Sequence, residues 1–114
     1  MVKIYCLIDP RTNAPFYIGI TSVTLRARLN AHIAEAAVWA PGFRGIKAKK
    51  QKFIRSLTDN GLRPGIKCII LVNKAKASAA EAQFYSYFTG LGFQLLQAPH
   101  RFVYPGDKAA RKIA

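Results

Sequence analysis

The sequence is poor in acids. Five Asp and Glu stand against 18 Lys and Arg in 114 residues, a formal net charge of +13. A two-metal site needs paired carboxylates. Asp9, Glu35, Asp59 and Asp107 read as turn or exposed positions and form no such motif. Cysteine is scarcer still. Cys6 and Cys68 sit in apolar segments without a CxxC or Cys/His neighbour, which argues against zinc and for two reduced core thiols. No apolar run approaches the ~18 residues of a membrane-spanning helix. The N-terminal MVKIYCLIDP is too short in apolar residues for a secretory signal, so a cytoplasmic setting is expected. Internal repeats and low-complexity tracts are absent from the sequence.

Hydrophobic residues make up 51% of the chain, enough for a real core and against global disorder. The cationic excess implies a polyanionic partner. Nucleic acid stands ahead of a membrane surface, because the helix expected at 24–37 carries Arg26, Arg28 and Glu35 instead of a basic stripe.

Residues 2–8 and 15–20 are β-rich and apolar, and Asp9-Pro10-Arg11-Thr12-Asn13 between them is turn chemistry. The two segments therefore predict a hairpin. Thr24 caps a helix running to about Ala37. A second helix covers roughly 47–59 and stops at Asn60-Gly61. A strand at 66–72, a helix at 77–89 stopped by Gly90, and an extended piece at 93–96 complete a domain over residues 1–97. Residues 98–114 read as a basic C-terminal tail. The β-β-α-α-β-α order predicts an α+β fold, a small three-stranded antiparallel sheet flanked by helices.

Alternation places Ile4, Cys6 and Ile8 on one sheet face and Tyr5 on the other. In the second strand Phe16, Ile18 and Ile20 share a face, opposite Tyr17 and Gly19. A three-residue loop at 10–12 sets Tyr5 directly across from Tyr17. Gly19 leaves room beside them for a ligand or a helix. Alone, the pair is more simply two core tyrosines.

On the first helix Leu25, Leu29, Ile33 and Ala36 form an apolar stripe, with Arg28 and His32 neighbours along its border. Such a pair alone is usually solvated surface. The third helix carries a broad face of Ala77, Ala80, Phe84, Tyr85, Tyr87 and Phe88, with Glu81 in its middle. A carboxylate there is either half of a buried ion pair or a metal ligand. One divalent ion on Glu81, completed by water and substrate phosphate, suits a chain so poor in acids. Arg44, Lys47, Lys49, Lys50, Lys52 and Arg55 surround an apolar side of Ile46, Phe53, Ile54 and Leu57. They read as a phosphate-tracking surface, although Lys50 falls among the apolar positions and must snorkel or lie in a loop. Trp39 either stacks on a base or plugs the core.

Lys3-Ile4-Tyr5, then Tyr17-Ile18-Gly19, then Arg28-x-x-x-His32 on a helix and Glu81 in a later one, resemble the GIY-YIG nucleases over residues 3–97. The resemblance implies a divalent-metal-dependent DNA endonuclease, stand-alone and phage-like or mobile-element-like. Its catalytic residues would be Tyr5, Tyr17, Arg28, His32 and Glu81, with Glu81 holding Mg2+ or Mn2+. Lys3 stands where the family has its first glycine. Gln94 stands where it often has an asparagine after the last helix. Double-stranded DNA is the expected partner. Low intrinsic sequence specificity, or specificity borrowed from a protein partner, is expected, since no separate sequence-reading domain fits in this length. Two other readings are a module on the same fold that binds nucleic acid without cutting, and a basic structural protein in which Tyr5, Tyr17, Arg28 and Glu81 do not cluster.

Overall fold

The computed structural model describes residues 1–97, the Ile46 side chain excepted; the basic tail read at 98–114 lies outside the described residues. β1 (Val2–Ile8) and β2 (Pro15–Thr21) form the expected hairpin. α1 (Leu25–Ala37), α2 (Ile46–Asp59), β3 (Gly65–Val72) and α3 (Ala77–Gly90) follow. The three-stranded sheet is antiparallel throughout, in the order β2-β1-β3. This is the expected α+β architecture. No helix among the described residues is long and apolar enough to cross a membrane.

Local chemistry sets the helix ends. Thr24 Oγ1 accepts the Ala27 N–H at 3.1 Å and starts α1. α3 runs through Gly90, where the sequence predicts its stop. The residue that ends it is Gly92, with φ +97°. The Gly92 N–H donates to Thr89 O, and the Phe93 N–H reaches back to Phe88 O. That paired closure needs a left-handed residue, so it falls on the second glycine. The piece at 93–96 forms no strand, although the Leu96 N–H donates to Phe16 O at 2.8 Å.

The sheet separates two apolar clusters. Ile4, Cys6 and Ile18 pack with Ala77, Ala80, Phe84, Tyr85 and Phe88 of α3. Tyr5, Leu7 and Phe16 pack with Leu29, Ala36 and Ile54 of α1 and α2. Two details depart from strict alternation. Leu7 opposes Tyr17 but Ile8 opposes Pro15, so β2 carries an extra residue there. This bulge turns Phe16 to the helix side, where it meets Phe53 edge-on at 4.6 Å. A turn one residue longer than the expected loop at 10–12 and this one-residue bulge together shift the pairing by two, so that Tyr5 stands across from Gly19 and not from Tyr17. Cys6 is buried but Cys68, read as a core thiol, is exposed. Tyr87, assigned to the apolar face of α3, is 60% exposed.

Candidate functional site

The helix-side face of the hairpin carries Tyr5 and Tyr17 with ring centres 6.3 Å apart. Gly19 lies directly beneath the Tyr5 ring, and a Cβ there would come within 2.5 Å of Tyr5 Oη. The space left by Gly19 is thus filled by Tyr5 itself, not by a ligand or a helix.

α1 packs across this face. His32 is fully buried, so it belongs to the buried stripe and not to its solvated border. Its Nε2 lies 2.7 Å from Tyr5 Oη. Arg28 Nε donates to the same oxygen at 3.0 Å. A guanidinium only donates, so the phenol accepts from Arg28, while the direction of its short contact with His32 Nε2 follows the imidazole tautomer. The other ring nitrogen, Nδ1, is buried without a hydrogen-bond partner among the described residues. Tyr17 meets the His32 ring edge-on at 5.2 Å.

Electrostatics follow from this packing. Burial, ahead of every other cause, pushes the Tyr5 phenol up to about 12, against the Arg28 hydrogen bond that lowers it. Burial, with Lys50, Arg28 and Lys47 nearby, drives His32 down to about 3. Burial also raises Tyr17, and the charge of Glu81 raises it further. Glu81 is half-buried, and its charge reaches Tyr5 as well.

A cleft of about 260 Å³ opens beside the phenols, lined by Tyr17, Arg28, Glu35, Lys47, Lys50 and Gln97 together with Leu96. Lys50, read as surface or loop, is 3% exposed. Its ammonium stands 4.7 Å over the Tyr17 ring and 4.0 Å from Glu35 Oε2. Lys47 approaches the same carboxylate at 3.9 Å.

The other expected residues divide. Arg55 donates to Asp59 and to the carbonyls of Ala37 and Trp39, so it braces the loop after α1. Arg44, Lys49 and Lys52 line a separate depression. Gln94 is exposed in another cleft, with Asp9, Phe16 and Phe53, away from the phenols. The amide beside the site belongs to Gln97. Its Oε1 accepts the Ile18 N–H at 2.7 Å, and its Nε2 donates to Ile18 O at 2.9 Å. Glu35 and Gln97 are thus cleft residues that sequence reasoning missed. Glu35 was legible, since positions 28, 32 and 35 share one helix face. Gln97 carries no local signal.

No group of three or more His, Cys, Asp and Glu placed to hold a metal ion exists among the described residues. No family model matches the chain, and no match was found among curated proteins or solved structures.

Proposed function

We propose that the chain is a DNA endonuclease of the GIY-YIG type, hydrolysing phosphodiester bonds in the cleft between β2, α1 and α2. The observation that carries this reading is the single phenolic oxygen of Tyr5 held between Arg28 and His32. A basic structural protein has no need to bring those side chains together across 27 residues of chain.

The arrangement supports a definite proton path. In the tautomer with the imidazole proton on Nδ1, water attacks phosphorus in the cleft. Because Tyr5 is fully buried and does not line the cleft, substrate binding must expose its Oη before it takes that water's proton and passes the phenolic proton to His32 Nε2. The P–O bond to the leaving 3′-oxygen then breaks, and that oxygen takes a proton from solvent water. With Tyr5 near 12 and His32 near 3, neither group is poised in the free protein. Burial is the main cause that keeps His32 neutral, and a phosphate brought among Arg28, Lys47 and Lys50 offsets the cations that add to it, which raises His32 toward its ordinary value. Arg28 lines the same cleft, and its guanidinium would meet the extra charge of the transition state.

The donor set suits a hard, water-rich cation with one protein carboxylate and not an all-protein cage. Glu81, whose charge reaches Tyr5 and Tyr17, would be that carboxylate for one Mg2+ or Mn2+. When bound, the ion supplies charge stabilisation to the leaving oxygen.

The test is nicking of supercoiled plasmid in Mg2+, Mn2+ and EDTA. Tyr5→Phe, Arg28→Ala and Glu81→Ala are each expected to lose about 100-fold or more, and EDTA to abolish cutting. Wild-type rates in Glu81→Ala would remove the metal assignment. Wild-type rates in Tyr5→Phe and Arg28→Ala would remove the site. A second reading, a module that binds nucleic acid without cutting, draws on the strongly protonated Tyr5. It requires salt-sensitive DNA binding with no nicking under any metal.

A further inference from the structure

The phenol cleft uses one flank of α2, the side of Lys47 and Lys50. The opposite flank, with Lys49 and Lys52, faces a larger depression of about 530 Å³ between the end of α1 and the start of α2. Trp39, Pro41, Phe43 and Arg44 complete its polar and aromatic wall, and no acidic side chain is among the residues that line it. Phe43 is 52% exposed. Lys52 Nζ stands 5.9 Å from the centre of the Trp39 ring. The wall is braced: the Trp39 N–H donates to Ala36 O at 3.1 Å, and Arg55 Nη1 donates to Ala37 O and Trp39 O at 3.0 and 3.3 Å. The floor is open, since a Cβ on Gly42 or Gly45 would meet nothing within 4 Å.

We propose that this depression binds an unpaired nucleobase and its flanking phosphates, and so holds single-stranded nucleic acid beside α2. The proposal rests on the nucleic-acid reading of the chain and extends it from duplex to substrates with an unpaired segment. An exposed aromatic ring stacks on any base, and cations around it hold the backbone. A paired base has both faces covered by its neighbours and offers nothing to Phe43 or Trp39. An acidic peptide would satisfy the lysines but leave the aromatic wall without a partner.

Trp39 is the chain's single tryptophan, so intrinsic emission reports on the pocket directly. The full chain is titrated with a short oligothymidylate, with the same oligomer carrying abasic sites, and with oligoglutamate of equal charge. The oligothymidylate is expected to quench Trp39 and the other two to leave it unchanged. Phe43→Ala is expected to weaken oligothymidylate binding roughly tenfold, and Phe43→Tyr to restore it. Equal quenching by the abasic oligomer or by oligoglutamate overturns the proposal, as does wild-type affinity in Phe43→Ala. Plasmid nicking without Trp39 quenching sinks the pocket and spares the nuclease reading. Quenching without nicking does the reverse.

Discussion

Tyr5 occupies the volume that any side chain at residue 19 would need. A Cβ on Gly19 would lie 2.5 Å from Tyr5 Oη and 2.6 Å from its ring carbon Cζ. The ring is fully buried and cannot swing aside without giving up its bonds to His32 and Arg28. Gly19→Ala is therefore expected to cost about 1–3 kcal/mol in denaturant unfolding. It is also expected to abolish nicking while leaving salt-sensitive DNA binding in place. An alanine protein as stable and active as wild type would show that the ring is not confined.

Arg28→Lys keeps the charge but loses the Nε–H that Tyr5 Oη accepts at 3.0 Å. If geometry matters as well as charge, nicking falls by about 100-fold with DNA affinity little changed. A simple electrostatic role would leave the lysine variant near wild type in both measurements.

His32 makes stability depend on acid in a defined window. Its folded pKa, about 3, lies below its ordinary 6.5 because of burial and the cations Lys50, Arg28 and Lys47. Between those values the unfolded chain binds the extra proton. The contribution of His32 is thus complete above pH 6.5 and is lost as pH falls toward 3. The slope is at most ~1.4 kcal/mol per pH unit. Asp9, held low by Arg11, adds acid sensitivity only below its ordinary 3.8. Urea unfolding from pH 7 to 4 should show the slope in wild type, and His32→Gln should flatten it. Parallel slopes in the two proteins would refute the assignment.

Gln97 closes the outer edge of β2 by pairing with both backbone groups of Ile18. Gln97→Ala leaves them to water or unpaired, at about 1–2 kcal/mol. Amide exchange at Ile18 should accelerate more than at Ile4 in the central strand. Unchanged exchange at Ile18 would mean that the edge is protected by something else.

The element order and the elements' approximate extents were readable from the amino acids alone, because strand alternation, the Thr24 cap and the glycine stops act over a few neighbours. The same local rules placed Arg28 and His32 one turn apart, and put Tyr5 and Tyr17 on a common face. Tertiary packing decided the rest. A longer turn and a bulge of one residue together slid Tyr5 onto Gly19, and the bulge turned Phe16 toward Phe53. Docking α2 against α1 buried Lys50 beside Glu35, and the chain after α3 brought Gln97 rather than Gln94 to the cleft. Those outcomes depend on how separate elements fill one volume, and periodicity along a single segment carries no information about its neighbour's surface.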